Sequence, residues 1–330
     1  MSDVARAAGV SAATVSRVLS GGAPVRPEVA EAVRATSDQL GYRANPIARA
    51  LRRRSTQSVG IVVPDIANPF FPEIVQAVER ALHDSGQSLL LCDSQNDTAI
   101  ELGRVRALLD RRVDGLLIVP GDTRASAEAV REAAARVAVV QVDRHVDVAT
   151  DFVGVDQDAG IDAVMELLLE HGRRTFAFVT GEMRISTARE RATAYLRRVE
   201  PVDLASAARV HEGDFSVAFG REAAGRLLAG PELPEAIVCA NDRIALGVLG
   251  RLRAAGVAVP GEVAVTGFDD NGFAAVSEPQ LTTVRQPLDN LGREAVRMLL
   301  SAAAHPSSPP RRLRLTPELV ERASTSYCAR

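Results

Sequence analysis

From Ser58 onward the chain alternates short runs of β-branched or leucine residues with amphipathic stretches long enough to form helices. Seven runs have this character: Val59–Val63, Ser88–Cys92, Gly115–Val119, Val137–Gln141, Phe176–Val179, Ala236–Cys239 and Val263–Thr266. Strands that alternate with helices predict an α/β fold of parallel, doubly wound sheets covered on both faces. Residues 58–330 are enough for two such lobes, at roughly 100 to 200 residues per domain.

The first forty residues have a different pattern. Two short helical stretches, residues 3–8 and 12–20, are separated by a turn in which Gly9 can adopt a left-handed conformation and Ser11 can cap the second helix. A third helix is predicted from Pro27 to Leu40, with Gly41 just beyond its end. This is a small all-α helix-turn-helix head. We expect its core to contain Val4, Val15, Val18, Val29, Val33 and Leu40.

Charge is distributed unevenly along the chain. Residues 1–54 contain nine arginines and four acidic residues, a net charge of +5, so the remainder carries −8 and the whole chain −3. A basic segment of this kind favours contact with a polyanion. No apolar run approaches the roughly 18 residues of a membrane span, and no signal peptide pattern follows Met1. We therefore expect a cytoplasmic protein with no membrane contact.

The residue types argue against catalysis. All 39 residues counted as lysine or arginine are arginines, whereas Walker A loops, pyridoxal-phosphate enzymes and Schiff-base aldolases require lysine. The three cysteines, Cys92, Cys239 and Cys328, are odd in number and lack the spacing of metal ligands. We expect neither a catalytic residue nor a cofactor nor a bound metal, and hence a protein that is not an enzyme.

The stretch from Asp3 to Ser20 reads Asp-Val-Ala-Arg-Ala-Ala-Gly-Val-Ser-Ala-Ala-Thr-Val-Ser-Arg-Val-Leu-Ser. It resembles the head of the lactose-repressor family of bacterial transcription regulators, and the resemblance continues through Leu40–Pro46 and over the whole chain. In that family the second helix lies in the DNA major groove. The resemblance therefore implies that DNA is contacted by Ser11, Ala12, Ala13, Thr14, Ser16, Arg17 and Tyr42. Arg17 is the residue suited to a bidentate bond with guanine.

Residues 45–54 correspond, in the same resemblance, to the family's hinge helix, which orders when two copies meet over the centre of the operator. It implies DNA contacts from Asn45, Ala48, Arg49, Leu51 and Arg52. Leu51 has the position of an apolar wedge that unstacks a base step from the minor groove. Ten residues are too few for a stable isolated helix, so the alternative of an unstructured basic linker applies when DNA is absent.

Ten polar or aromatic residues lie where strands are predicted to end. Each alone could be a loop charge, a helix cap or, for the phenylalanines, core filler. Together they resemble the sugar-contacting set of ribose repressors and periplasmic ribose-binding proteins: Asn68, Phe70, Phe71, Asp143, Arg144, Arg191, Phe215, Asn241, Asp269 and Gln286. Carboxylates and arginines form directional bonds to hydroxyl groups, and phenylalanines pack on the faces of a sugar ring.

These observations predict a sequence-specific DNA-binding regulator, a repressor, whose operator affinity is controlled allosterically by a small sugar. Ribose or another pentose is favoured. A homodimer on a palindromic operator is implied because one helix-turn-helix reads only a half-site. Two alternatives stay open: a nucleoside or purine-like effector, and a periplasmic-type sugar-binding transport component, which would have no basic head.

The predicted domain limits follow the changes of pattern. The helix-turn-helix domain comprises residues 1–44, the hinge helix and linker residues 45–57, and the effector-binding and dimerisation domain residues 58–330. Within the last, the N-lobe is predicted at about 58–155 and 286–316, and the C-lobe at about 156–285 and 317–330.

Overall fold

The computed structural model describes residues 1–20, 25–41, 55–199 and 209–326. It divides the chain into two compact units, Met1–Ser58 and Val59–Arg330, which we call the head and the body and describe separately. None of the helices in the described residues is long and apolar enough to cross a membrane.

The described part of the head contains three helices, α1 (Ser2–Ala7), α2 (Ala12–Ser20) and α3 (Pro27–Gln39). Gly9 has a φ of 65° in the turn between the first two helices, which explains why glycine stands there. The hydroxyl of Ser11 accepts a hydrogen bond of 3.1 Å from the Thr14 amide and so caps α2. Pro27 occupies the first turn of α3, as its sequence position predicted.

The core of the head is small and aliphatic. Its buried cluster consists of Val4, Ala5, Val15, Val18, Ala30 and Val33, with Val29 packed against it. Leu40 was expected in this core, but it is 52% exposed. Helix α3 ends at Gln39, so Leu40 lies beyond the last position of the buried stripe and that expectation was wrong.

The larger sheet of the body has six strands: β1 (Ser58–Val63), β2 (Ser88–Asp93), β3 (Gly115–Ile118), β4 (Ala138–Val142), β5 (Asp151–Val155) and β11 (Arg312–Leu315). Their order is β11-β5-β4-β3-β1-β2, and β11, β5, β4, β3 and β1 pair in parallel. The helices of this half are α4 (Phe70–His83), α5 (Thr98–Asp110), α6 (Ala127–Ala134) and α11 (Leu288–Ala304). We call this assembly the first lobe.

The smaller sheet has four strands: β6 (Phe176–Gly181), β7 (Arg209–Gly213), β8 (Ala236–Cys239) and β9 (Ala264–Thr266). They are parallel, in the order β7-β6-β8-β9. The helices here are α7 (Gln157–Glu170), α8 (Ser186–Val199), α9 (Val217–Leu228) and α10 (Asp242–Ala254). We call this assembly the second lobe. A separate antiparallel pair joins β10 (Thr283–Arg285) to β12 (Glu318–Val320).

Each sheet is covered on both faces. In the first lobe, α4 and α11 contribute to one apolar cluster and α5 and α6 to another. In the second lobe, α9 and α10 contribute to one cluster and α7 and α8 to another. The predicted doubly wound α/β fold is therefore confirmed. The chain passes between the two sheets after β5, after β10 and after β11, and these crossings position the site.

Candidate functional site

The predicted base-reading residues of the head lie on α2 and at its start. Val15 and Val18 form the buried side of this helix, and four of the predicted residues are exposed: Ser11, Ala12, Ala13 and Arg17. Thr14 and Ser16 are partly exposed, and the hydroxyls of Ser11 and Thr14 lie 2.9 Å apart. The helix therefore presents these side chains away from its own core, as a recognition helix must.

Six further predicted DNA contacts lie outside the described residues. They are Tyr42, Asn45, Ala48, Arg49, Leu51 and Arg52. Their assignment rests on the sequence and stays a prediction.

The predicted effector residues come together in the body. Nine of the ten line one buried cavity of about 20 Å³: Asn68, Phe70, Phe71, Asp143, Arg144, Arg191, Phe215, Asn241 and Asp269. The tenth, Gln286, donates a 2.8 Å hydrogen bond from Nε2 to Oδ1 of Asp269. Residues up to 218 positions apart thus surround a single point.

The topology explains this convergence. Asp143 and Arg144 directly follow β4, and Gln286 directly follows β10. One residue separates Asn241 from the end of β8. The carboxyl ends of parallel strands meet at one edge of a sheet, where open α/β folds bind ligands. Because two sheets contribute such edges, the site has walls from both lobes.

Phenylalanines from both lobes form the apolar part of the site. Phe70 and Phe71 of the first lobe meet edge to face, with ring centroids 5.3 Å apart. Phe215 comes from the second lobe, and the absence of a side chain at Gly181 makes room for it, since a Cβ there would lie 2.3 Å from its ring. The Arg144 guanidinium carbon lies 5.3 Å from the Phe71 centroid and 5.7 Å from that of Phe215. A planar cation thus contacts both rings.

Phe70 and Phe71 also belong to the buried core of the first lobe. The core-filler and site interpretations of these two residues are therefore compatible, because one face of a ring can pack in a core while an edge borders a cavity.

Arg191 is held rigidly from several sides. Its Nε donates to Oε1 of Gln157 at 2.7 Å, and its Nη1 donates to the carbonyl oxygen of Ala240. Its guanidinium stacks on the Phe268 ring at 3.6 Å, and its Nη1 is 3.9 Å from Oδ1 of Asp269. A donor fixed in this way has little conformational entropy to lose when it binds a ligand.

Several buried polar atoms of the site have no hydrogen-bond partner within the described part of the chain. They are Oδ1 of Asp143, Nε and Nη1 of Arg144, and Oε1 of Gln286. A buried polar atom without a partner costs about 1 to 3 kcal/mol. Since this set contains both donors and acceptors, a ligand with several hydroxyl groups, each a donor and an acceptor, suits it.

Burial dominates the electrostatics of the site. It raises the pKa of Asp143 and lowers those of Arg144 and Arg191. Burial also raises the pKa of Asp269 to about 7, with the Asp143 carboxylate adding to the rise and Arg191 opposing it. Asp269 therefore titrates close to neutral pH.

The two site aspartates have unusual backbone conformations. Asp143 has a φ of 62° and Asp269 a φ of 114°. Non-glycine residues in such conformations are strained by about 1 to 3 kcal/mol and are concentrated at functional sites.

The two asparagines of the site also have structural roles. Oδ1 of Asn241 caps α10 by accepting a hydrogen bond from the Ile244 amide at 2.9 Å, and Oδ1 of Asn68 accepts one from the Phe70 amide at 3.3 Å. Their side-chain NH₂ groups remain as candidate ligand donors.

Sequence reasoning missed Thr187 and Gln157. Thr187 lines the same cavity and is 4% exposed. It lies four residues before Arg191 on α8, so the two share a helix face, and this spacing was the available signal. Gln157 is 1% exposed and contributes the acceptor that orients Arg191.

Comparisons with known proteins agree with this geometry. Residues 1–45 match the bacterial regulatory proteins of the lacI family, and residues 165–325 match the periplasmic binding protein-like domain. The ribose operon repressor of Escherichia coli (strain K12) is 33% identical over 327 residues, which cover 98% of this chain and 99% of that protein. The HTH-type transcriptional repressor PurR of Haemophilus influenzae (strain PittEE) is also 33% identical, with 98% and 97% covered.

Solved structures give the same result. The Lac repressor dimer bound to operator and the anti-inducer ONPF matches with a TM-score of 0.88 and 27% identity, covering 98% of both chains. A LacI family transcriptional regulator from Enterococcus faecium with bound ribose matches with a TM-score of 0.73 and 25% identity, covering 82% of this chain and 98% of that one. The expectation of a regulator and not an enzyme is confirmed. With relatives at 33% identity along 98% of its length, the chain belongs to the lacI family of bacterial regulatory proteins, as the residues of its head indicated.

Proposed function

We propose that this regulator represses transcription from a palindromic operator and that ribose, or a close pentose, controls its affinity for DNA. The observation that carries the proposal is the single buried cavity at which two carboxylates, two arginines and three phenylalanines meet. Directional polar groups for the hydroxyls and rings for the C–H faces are the two features that a sugar site requires. The ribose operon repressor and the ribose-bound regulator among the relatives support this ligand.

Control of DNA affinity would follow from linkage between the two sites. A ligand that bonds residues of both lobes favours the arrangement in which the lobes are close, and any head arrangement coupled to it gains the same free energy. A coupling of about 1 to 3 kcal/mol changes operator affinity about 5- to 150-fold. We propose a homodimer because a single head reads a half-site, and the operator-bound Lac repressor is a dimer.

The predicted domain limits belong to this proposal. Residues 1–44 read bases, residues 45–57 form the hinge, and residues 58–330 bind effector and partner subunit, with the N-lobe and C-lobe limits given above. The protein would act in the cytoplasm, where the operator is.

A purine base is the second candidate. PurR of Haemophilus influenzae is 33% identical to this chain, as is the ribose operon repressor. Phe71 and Phe215 hold a planar guanidinium between them, which is a spacing that a flat base could use if Arg144 moved aside. Ribose is favoured over a purine because the guanidinium of Arg144 already occupies the space beside Phe71 and Phe215, where the faces of a base would stack.

A thermal-shift series separates these candidates. Ribose, arabinose, xylose, hypoxanthine, guanine and adenosine would each be added to the full chain, since a ligand that binds only the folded state raises its stability by mass action. We expect ribose to give the largest shift. A shift with hypoxanthine or guanine and none with ribose would establish the second candidate.

Operator titrations with and without the selected ligand then measure how strongly the ligand changes operator affinity, and in which direction.

The DNA assignment is tested by Arg17→Ala, which should remove about 1 to 3 kcal/mol of discrimination for operator over random DNA. Leu51→Ala should reduce operator bending and leave ligand affinity unchanged. Equal weakening of specific and non-specific binding by Arg17→Ala would make that residue a phosphate contact.

A further inference from the structure

Two ion pairs join the lobes at the mouth of the effector cavity, and a further one, Glu190 of α8 with Arg314 of β11 at 2.8 Å, joins them near the crossing after β11. Nη1 of Arg243, on the first turn of α10 in the second lobe, lies 2.9 Å from Oδ2 of Asp65, in the loop after β1 in the first lobe. Nη1 of Arg184, between β6 and α8 in the second lobe, lies 3.7 Å from Oδ2 of Asp122, in the loop after β3 in the first lobe. Each pair therefore breaks when the lobes move apart.

A backbone hydrogen bond accompanies the Asp122–Arg184 ion pair. The Thr123 amide donates a 2.8 Å hydrogen bond to the carbonyl oxygen of Arg184, so the two loops are joined twice. The loop on the first-lobe side is preformed, because the Gly121 amide donates to Oε2 of the buried Glu101 at 2.9 Å. Burial alone would raise the pKa of Asp122, but backbone amides and Arg184 hold it below its ordinary value, so this carboxylate is charged at neutral pH.

These residues surround the mouth of the effector cavity. Asp65, Arg184 and Arg243 line a second cavity of about 260 Å³, which shares four lining residues with the buried one: Asn68, Phe71, Arg144 and Phe215. The buried cavity of about 20 Å³ is far smaller than the roughly 300 Å³ of the smallest usual ligand pockets. The two cavities adjoin through these four residues, so the ion pairs lie at the opening through which a sugar would reach the buried residues, and separation of the lobes disrupts both pairs.

We propose that Asp65–Arg243 and Asp122–Arg184 form an electrostatic latch that positions the lobes around the effector and sets how long it stays bound. The latch gives a neutral sugar a binding affinity that depends on ionic strength, because closure forms partly exposed ion pairs that salt screens. Pairs of this exposure contribute about two- to fivefold each to an equilibrium constant. The sugar supplies no charge, so the salt dependence comes from the protein alone.

The first test compares wild type with Arg184→Met, Arg243→Met and the double variant. Methionine keeps much of the apolar stem and removes the charge. The matched control is Arg197→Met, which breaks the pair between Arg197 and Asp158, 3.0 Å apart within the second lobe. Ribose affinity and dissociation rate would be measured by calorimetry and stopped flow at 50 and 500 mM NaCl.

Wild type and Arg197→Met should lose about three- to tenfold in ribose affinity between the two salt concentrations. The double variant should bind about five- to tenfold more weakly at low salt, release ribose correspondingly faster, and show a smaller further loss at high salt than wild type, because the Glu190–Arg314 pair remains. Variants that bind more weakly but keep the wild-type salt dependence would overturn the latch, because lost packing alone gives that result. A salt-independent wild type would also overturn it.

The choice of ribose as probe rests on the proposed function, so a second test does without ligand. Asn96 and Asp214, both exposed, lie on opposite sides of the mouth cavity. Spin labels at Asn96→Cys and Asp214→Cys, with Cys92 and Cys328 replaced by serine and the buried Cys239 kept, would report the distance between lobes. Labelled chains would be diluted with unlabelled ones to suppress distances between subunits.

In the double latch variant the distance distribution should shift to longer values, and in Arg197→Met it should not. An unchanged distribution overturns the latch. If wild type fails to bind ribose and the double latch variant still shows the shift, the proposed effector is wrong and the latch stands.

Discussion

The head and the body place their functional residues in opposite environments. In the head, the core cluster is made of six alanine and valine residues, and the predicted base-reading side chains lie on the outer side of α2. In the body, the candidate site is itself buried, with Asp143, Arg144, Arg191 and Asp269 each at most 7% exposed. Most residues of the head therefore serve either function or stability, with Ser11 as an exception because it also caps α2, whereas in the body one side chain contributes to both.

The largest expected effect tests the body. Arg191→Met keeps the long side chain over Phe268 but removes the donors to Gln157, Ala240 and the ligand. A site built to bond hydroxyls loses more than an average hydrogen bond when one partner is removed, because other buried groups are left unpaired. We expect ribose affinity measured by calorimetry to fall about 100-fold or more, with operator affinity in the absence of ribose nearly unchanged.

The control for that variant is Arg189→Met, an exposed arginine on the same helix, which should bind ribose as wild type does. An Arg191→Met protein that kept wild-type affinity would show that this residue supports the fold and does not contact the effector.

A smaller effect is expected in the core of the head. Val33 is fully buried there, and Val33→Ala removes two methyl groups and leaves a cavity, which should lower the free energy of unfolding of the head by about 2 kcal/mol. Operator affinity should fall, while ribose affinity and the unfolding transition of the body stay at wild-type values. NMR-detected hydrogen exchange would resolve the head from the body.

Ala35→Ser, at an exposed position of the same helix, is the control for Val33→Ala and should change neither property. Equal destabilisation of head and body by Val33→Ala would contradict the separation of the two units.

The third prediction concerns pH and the body. With its pKa raised to about 7, Asp269 is largely protonated below that pH. Its contribution to folding stability is complete below the ordinary carboxyl pKa and is lost as pH rises through 7. If ribose hydroxyls donate to the ionised carboxylate, ribose affinity should fall as pH decreases from 8 to 6, by at most about tenfold per pH unit.

Calorimetry in buffers of different ionisation enthalpy would detect the proton released when ribose binds near pH 7. Asp269→Asn should bind ribose more weakly and with no pH dependence in this range. An unchanged pH dependence in that variant would assign the titration to another group.

The smallest effect returns to the head. Ser11→Ala removes the hydroxyl that caps α2 and should lower the stability of the head by about 1 kcal/mol in the absence of DNA. Ser11→Thr retains a hydroxyl at the same position and should restore most of the loss. If alanine and threonine variants were equally stable, the cap would contribute nothing.

The strands that were predicted from the sequence are on average longer and more buried than those that were not. Runs such as Val59–Val63 and Phe176–Val179 became strands buried on both faces, so their apolar character showed plainly. Strands β10 and β12 have three residues each, and β11 alternates arginine with leucine at a half-exposed edge. Segments as short or as polar as these have no hydrophobic pattern that distinguishes them from a loop.

Much of the candidate site was accessible from sequence because residues such as Asp143, Asn241 and Gln286 follow strands, and parallel topology brings strand ends together. Arg191 lies within α8 and Phe70 and Phe71 begin α4, so their assignment rested on the family resemblance. The stacking of Arg144 against Phe71 and Phe215 was not accessible, since it depends on the approach of two lobes. The pair Asp65–Arg243 spans 178 positions and has no local signal at all. Sequence thus predicted which residues gather, but not how they contact each other.

The left-handed backbone at Asp143 and Asp269 restricts how the effector preference of this protein can evolve. Glycine adopts a positive φ freely, and asparagine and aspartate adopt it more readily than other residues that have a side chain. Arg144 and Thr187 are not among the residues with a positive φ, so substitutions at these two positions meet no backbone restriction of this kind. New specificities should therefore arise by substitution at positions 144 and 187, while positions 143 and 269 persist as a shared frame across descendants that recognise different molecules.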